Sequence, residues 1–330
     1  LRRETNTMEQ PKATIEINDL SFTYPGIDGH PPPGSKPLIH NFSLKLFSGD
    51  RCLLVGSNGA GKTTILKILG GKHMVEPEMV RVLGRPAFHD TALTSSGDLT
   101  YIGGEWRRDV AFAGFEIPLQ MDISAEKMIN GVEGVEAERR NELIKVLGIE
   151  GSWKMHKVSD GQRRRVQICM GLLKPYKVLL LDEITVDLDV VARADLLKFL
   201  KKECEERGAT MIYATHIFDG LENWPSHIVY VANGRSQLSM RMEKVKETWK
   251  LSLMRTVESW LRKEREEERK RRKMPQFEEE IQPTRVAGSP IRPLNNGWAP
   301  GRLHSTVAAP GPGPGPAPNY FLSSNRVLRQ

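Results

Sequence analysis

The stretch Gly56-Ser57-Asn58-Gly59-Ala60-Gly61-Lys62-Thr63 follows directly on the apolar run Arg51-Cys52-Leu53-Leu54-Val55, and it constrains this chain more than any other feature. Its pattern is Gly, four residues, then Gly-Lys-Thr, the spacing of a loop that wraps phosphate. Glycines at the bends let backbone N–H groups turn inward toward phosphate oxygens. The helix that starts near Gly61 adds the positive end of its dipole. Lys62 is expected to reach the β- and γ-phosphates, and Thr63 to ligate Mg²⁺. A chance glycine-rich turn is the competing account. The context disfavours it, because a strand pattern precedes the loop and the helical pattern Thr64-Ile65-Leu66-Lys67-Ile68-Leu69 follows. Binding of a nucleoside triphosphate is the expectation.

A second element lies downstream. Lys177-Val-Leu-Leu-Leu-Asp182-Glu183 reads as a buried strand ending in two carboxylates. Such a strand can deliver Asp182 beside the loop, where it would hold magnesium through water. Glu183 is then placed to act as general base on an attacking water. Either carboxylate alone would pass as an ordinary polar strand end; the pair after a phosphate loop is more specific. Between the two elements stands Ser159-Asp160-Gly161-Gln162, followed by Arg163-Arg164-Arg165 and a helical pattern. Locally this is a capping box, with Ser159 as N-cap and Gln162 reaching back.

Residues 12–240 alternate short apolar runs with helical patterns, as an α/β sheet does. Ile15–Ile17, Phe22–Tyr24, Arg51–Val55, Val178–Leu181, Thr210–Ala214 and Ile228–Val231 are strand-like. Gly26–Pro37 should be a surface loop. From about Ala111 to Leu147 the pattern turns helical, with Ser124 and Glu136 near helix starts. Further on, Leu253, Met254, Val257, Trp260 and Leu261 recur at helical spacing and predict one apolar face. The interleaved charges of Arg262–Lys273 continue that helix as a solvated extension. A helix docked on its own domain is the favoured account, and a partner-binding helix the alternative.

The formal charge of +7 is unevenly spread. Residues 241–330 hold 18 basic and 10 acidic residues, so residues 1–240 are close to neutral at −1. Residues 275–330 contain ten prolines and six glycines without a strict triplet period, a composition expected to stay disordered. No run approaches the ~18 apolar residues of a membrane span. Cys52, Cys169 and Cys204 are far apart and lack metal-ligand spacing, which excludes a disulfide framework and favours a reducing compartment. The N-terminus has no signal pattern, and Met8 is a candidate natural start.

Taken in order, Gly56–Thr63, Ser159–Gln162, Leu179–Glu183, Asp187–Asp189 and Thr215-His216 resemble the nucleotide-binding domains of ATP-binding cassette (ABC) proteins over roughly residues 13–235. The resemblance implies an α/β fold of the P-loop NTPase type: a mixed-sheet core, an antiparallel β subdomain and an α-helical insertion, here with a disordered C-terminal tail. It implies ATP and Mg²⁺ as cofactors. The nucleotide would be held by Tyr24, stacking on adenine, and by Gly56, Ser57, Asn58, Gly59, Ala60, Gly61, Lys62, Thr63 and Thr64. A strand aromatic in the core is the other account of Tyr24. Thr63, Asp182 and Glu105 would ligate the metal, with Glu183, His216 and Lys62 in the catalytic roles. Ser159, Asp160, Gly161 and Gln162 would form the signature facing ATP bound on a second subunit, with Ser159 and Gly161 capping its γ-phosphate, and Asp187 and Asp189 would cross between two sites.

Two positions depart from the family pattern. Asp160 stands where the signature has its first glycine. Glu105 stands where a glutamine is usual, and an ionised carboxylate cannot donate a hydrogen bond there. A narrower resemblance is carried by Tyr101–Trp106, Trp153–Gln162, Asp182–Asp189 and Tyr213–Gly220. It points to the plant ABC transporter I subfamily members lacking membrane domains, and to their fungal relative associated with a transcription and deadenylation complex.

The expected organisation is a disordered stretch at 1–12 and a cassette at 13–240 with its helical subdomain at about 105–172. An amphipathic then charged helix follows at 241–273, and a Pro/Gly-rich tail at 274–330. The expected activity is ATP hydrolysis at composite sites of a homo- or heterodimer, with closure regulating or remodelling a partner complex. The alternative is the ATP-hydrolysing subunit of a transporter whose membrane domains are on a separate chain. An RNA- or DNA-associated ATPase ranks below both, because the tail's basic residues are interleaved with Glu and short of aromatics. The partners expected are a second ABC subunit, itself or a paralogue, and an unidentified protein complex or membrane subunit. The expected compartment is cytoplasmic, with membrane association through partners as an alternative and the nucleus, from Arg269–Lys273, ranked lower.

Overall fold

The computed structural model describes residues 12–103 and 123–273, together with 298–299 and 302–303. In chain order its elements begin with β1 (Ile15–Phe22), β2 (Ile39–Leu46), β3 (Arg51–Gly56), α1 (Lys62–Leu69), β4 (Val80–Val82), β5 (Arg85–Pro86), α2 (Ala92–Ser95) and β6 (Leu99–Ile102). There follow α3 (Ala125–Asn130), α4 (Ala137–Val146), α5 (Asp160–Leu172), β7 (Val178–Asp182), α6 (Val190–Arg207), β8 (Thr210–Ala214), β9 (His227–Ala232), β10 (Arg235–Arg241), α7 (Met242–Trp249) and α8 (Leu253–Lys273). The chain divides into units 1–275 and 276–330; the second contains β11 (Trp298–Ala299) paired antiparallel with β12 (Arg302–Leu303). The expectations for 1–11, for 104–122 and for most of 274–330 lie outside the described residues.

Two sheets carry the first unit. One is antiparallel, in the order β2-β1-β4-β5. The other runs β10-β9-β3-β8-β7-β6; β3, β6, β7, β8 and β9 are parallel, and only β10 is antiparallel to its neighbour. This is the mixed core with an antiparallel subdomain that the motifs imply. The parallel strands read as unbroken apolar runs because both of their faces are covered. Along β3, Leu53 and Val55 join one apolar cluster while Cys52 and Leu54 join the other. Along β7, Leu179 and Leu181 separate in the same way from Val178 and Leu180. The period of two thus sends alternate side chains to opposite layers. One layer holds α1 and the antiparallel sheet, and the other holds α3 to α8.

Ser124 caps α3 by accepting from the Lys127 N–H at 3.2 Å, and Glu136 precedes α4, as their places in the sequence predict. Phe22–Tyr24 is not a strand of its own. Phe22 ends β1, and Tyr24 lies beyond it in front of Pro25, which lacks the N–H a ladder needs. α8 docks Leu253 and Val257 fully and Trp260 and Leu261 in part. Met254 departs from the expected face, at 57% exposed. It lies ~100° around the helix from Leu253, at the edge of the docked stripe. Among the described residues no helix is long and apolar enough to cross a membrane. The three cysteines are free and buried.

Candidate nucleotide site

β3 ends on Gly56, opposite Val231 of β9. A Cβ at Gly56 would lie 2.2 Å from the Val231 carbonyl oxygen, so a side chain there would displace the loop from the sheet. Gly61 caps α1 at φ 104°, a left-handed conformation that glycine adopts without strain. That bend leaves Lys62 as the first residue of the helix, 8% exposed. Its Nζ donates to the carbonyls of Gly56 at 2.9 Å and Ser57 at 3.0 Å, holding the ammonium under the loop. Burial lowers its pKa, opposed by the charges of Glu183, Asp182 and Glu264.

Above the loop lies a cavity of about 540 Å³ lined by Tyr24, Leu38, Asn58, Gly59, Gly61, Lys62, Thr63, Thr64, Glu183 and His216. Seven of the sequence-predicted nucleotide residues are therefore brought together on one wall, with two of the three predicted catalytic side chains facing them. Tyr24 is 43% exposed, its hydroxyl 2.9 Å from Thr64 Oγ1 and its ring edge-on to Phe22 and His73. It is a rim residue of the cavity rather than a core aromatic. Gly56, Ser57 and Ala60 form the loop's underside and do not line the cavity.

Asp182 is the last residue of β7 and is 5% exposed. Thr63 donates to its Oδ1 at 3.2 Å and Tyr101 to its Oδ2 at 3.1 Å. Burial raises its pKa, opposed by those two hydrogen bonds. A buried carboxylate beside a threonine hydroxyl suits a small, hard divalent cation that completes its shell with phosphate oxygens and water. The cradle and the donor set fit a magnesium nucleotide. Glu105, the third predicted ligand, lies outside the described residues.

Glu183 stands one residue past β7 at φ 52°, a region that costs a non-glycine residue about 1–3 kcal/mol. Its N–H donates to Ala214 O at 2.9 Å, which anchors the turn to β8. His216 Nδ1 is 2.8 Å from Glu183 Oε2, and the His216 N–H donates to the same oxygen at 3.4 Å. The carboxylate and the imidazole thus form one unit at the cavity mouth.

Ser159 caps α5, and both halves of the capping box are present: Gln162 N–H donates to Ser159 Oγ at 3.2 Å, and Ser159 N–H to Gln162 Oε1 at 3.0 Å. Asp160 is exposed and pairs with Arg163 at 2.8 Å. A Cβ at Gly161 would lie 2.9 Å from Asp187 O, so this glycine lets α5 approach the Asp187–Asp189 segment. Asp189 caps α6 by accepting from Ala192 N–H at 2.8 Å, and it also pairs with Arg165. None of Ser159, Asp160, Gly161 and Gln162 lines the chain's own cavity.

Three functional contacts escaped the sequence reading. Arg164, 4% exposed, donates to the carbonyls of Gly103 at 2.7 Å, Ile184 at 3.2 Å and Glu183 at 3.3 Å. It fixes the turn that carries Glu183. Tyr101 holds Asp182, although its place on β6 gave no sign of that. Ser57 donates to Glu264 of α8 at 3.0 Å, a contact across 207 positions that no local pattern announces.

Residues 39–186 match a family model described as ABC transporter. Over 331 aligned residues the chain is 76% identical to "ABC transporter I family member 20" of Arabidopsis thaliana, covering 98% of this chain and 99% of that protein. It is 39% identical to "CCR4-associated factor 16" of Saccharomyces cerevisiae, covering 67% of this chain and 76% of that one. Among solved structures, an ATP-binding subunit of an ABC transporter aligns over 74% of this chain and 98% of that one, with TM-score 0.58 and 22% identity. A dimeric ATP-binding cassette in a post-hydrolysis state bound to ADP and Pi aligns over 69% and 98%, with TM-score 0.54 and 21% identity. At these identities the likeness to the two structures concerns the fold.

Proposed function

The chain belongs to the ABC transporter I family, whose ABC domains bind ATP with Mg²⁺, and on that premise we propose that it hydrolyses ATP at sites completed between two subunits. The observation that carries the reading is the separation of two motifs. The cavity wall holds the phosphate loop, Glu183 and His216, while Ser159–Gln162 stands away from it with Ser159 and Asp160 exposed. A second subunit, a copy of this chain or a paralogue, would bring its Ser159 and Gly161 over that cavity. Exposed Val186, Val190 and Val191 beside Asp187 and Asp189 supply apolar surface for such a contact.

In this reading Lys62 binds the β- and γ-phosphates, and Tyr24 orients the base at the rim. Thr63 and Asp182 would hold Mg²⁺, with Glu105 as a further proposed ligand; when bound, the ion would offset the negative charge of the phosphates. Glu183 takes the proton of the water that attacks the γ-phosphorus, while the bond from that phosphorus to the β,γ-bridging oxygen breaks and ADP leaves. His216, 2.8 Å from Glu183, orients that carboxylate and contacts the γ-phosphate. Residues 13–240 are the cassette, residues 241–273 its C-terminal helical extension, and 274–330 a Pro/Gly-rich tail. Closure over ATP would regulate or remodel a partner complex in the cytoplasm.

The test is Glu183→Gln. It is expected to keep ATP affinity, lower steady-state turnover at least a hundredfold, and shift to twice the monomer mass with Mg-ATP. Turnover equal to the wild type would remove Glu183 from the base role. A second reading is favoured by relatives such as "Energy-coupling factor transporter ATP-binding protein EcfA2" of Methanospirillum hungatei, 30% identical over 67% of this chain and 54% of that protein. In it the chain is the ATPase subunit of a transporter, and a stoichiometric multi-span membrane protein would co-purify with it.

A further inference from the structure

The C-terminal helix reaches the phosphate loop. The Ser57 hydroxyl donates to Glu264 Oε1 at 3.0 Å, and the other oxygen of that carboxylate accepts from the Tyr230 hydroxyl at 2.8 Å. Tyr230 lies on β9 opposite Val55, the residue just before Gly56, so the bridge closes a ring through sheet, loop and helix. The helix is seated there by its own packing. One turn before Glu264, Trp260 sits 5.3 Å from the Tyr230 ring and 5.2 Å from Trp249, and Val257 is buried beneath them.

Ser57 also accepts from Lys62. Its carbonyl is one of the two that receive the lysine Nζ, at 3.0 Å. A residue held by its side chain from α8 therefore holds, by its backbone, the ammonium that the phosphates need. Lys62 also feels the Glu264 charge.

We propose that Glu264 is a positioning residue of the nucleotide site: it fixes Ser57, Ser57 fixes Lys62, and the docked C-terminal helix thereby sets the affinity for ATP. This rests on the loop being an ATP site. The competing role is purely structural, with Glu264 merely fastening α8 to β9 through Tyr230.

The two roles separate in a double-mutant cycle on the full chain, read as equilibrium ATP binding. Glu264→Ala and Ser57→Ala should each weaken ATP binding about tenfold, the scale of one hydrogen bond to a charged group. The double variant should be no weaker than either single one. Glu264→Gln can accept from Ser57 through Oε1 and donate to Tyr230 through Nε2, and it should recover affinity to within about twofold of wild type. Ser57→Ala leaves the Tyr230 contact and the Trp260 packing intact, so it carries the test even if Glu264→Ala loosens the helix, which a lower melting temperature would show. Glu264→Ala or Ser57→Ala within twofold of wild type, or losses that multiply in the double variant, would overturn the proposal. Absence of ATP binding by the wild type would overturn the ATP reading itself, and that arm is measured separately.

Discussion

Asp182, proposed to hold the magnesium, is a residue whose burial costs the protein stability in the absence of that ion. It is buried at the end of β7, where its hydrogen bonds come from the neutral hydroxyls of Thr63 and Tyr101. Burial raises its pKa above the ordinary carboxylate value of 3.8, so its ionisation works against the nucleotide-free fold. The cost is absent below the unfolded-state pKa, grows as pH rises toward the raised native value, and is constant above it. Asp182→Asn should therefore melt higher than wild type without nucleotide at pH 7, with the gap closing near pH 4 and below. Adding Mg-ATP should stabilise the wild type more than the variant. Thermal melts across pH, with and without Mg-ATP, check both expectations. Lys62→Ala acts on the other half of the same site and should raise the dissociation constant for ATP at least tenfold in a direct binding assay.

Between elements, the helical layer is pinned by arginines whose importance no local pattern reveals. Arg139 of α4 makes a bidentate pair with Glu203 of α6, at 2.9 and 2.8 Å. Its Nε donates to the carbonyls of Leu172 and Leu173 at the end of α5, 3.0 Å from each. One side chain thus ties three helices, and both partners of the pair are at most 10% exposed. Arg139→Met should cost about 3 kcal/mol, near the low end for breaking a buried pair. The low end applies because Arg207, at 3.3 Å, can still reach Glu203. A shift of the urea midpoint at constant slope measures it. Neighbouring Arg140 reads the same in sequence. The helix starts at Ser124 and Ser159 were more legible, because a cap is a local contest between a side chain and the nearest N–H groups. Met254 was misjudged for the opposite reason: periodicity gives a helix its stripe but leaves its width to whatever packs against it.

For the molecule as a whole, the consequence of a composite site is complementation between two defective chains. Lys62→Ala removes a loop and keeps a signature; Ser159→Arg does the reverse. Each alone should be nearly inactive. Mixed and allowed to exchange subunits, roughly half of the dimers would pair the two and hold one intact site, giving about a quarter of wild-type turnover if pairing is random. A mixture no more active than its components would argue against sites shared between copies. Charge has little part in this. Residues 1–240 carry −1, so in the proposed site the pull on phosphate would come from Lys62 and the loop's backbone N–H groups, not from the net +7 of the chain.

The sequence by itself determined the phosphate loop, the carboxylate pair after β7, the α5 capping box and the α/β sheet that carries them. Each is a local pattern whose meaning depends on residues within a few positions of one another. Tertiary structure alone decided the fates of Arg164 and Arg165. The first is buried on three carbonyls behind Glu183, and the second pairs with Asp189. It alone brought Tyr101 to Asp182 and Glu264 to Ser57. Identical side chains on one helix point in different directions, and what each meets is set by segments distant in sequence, which no local pattern encodes.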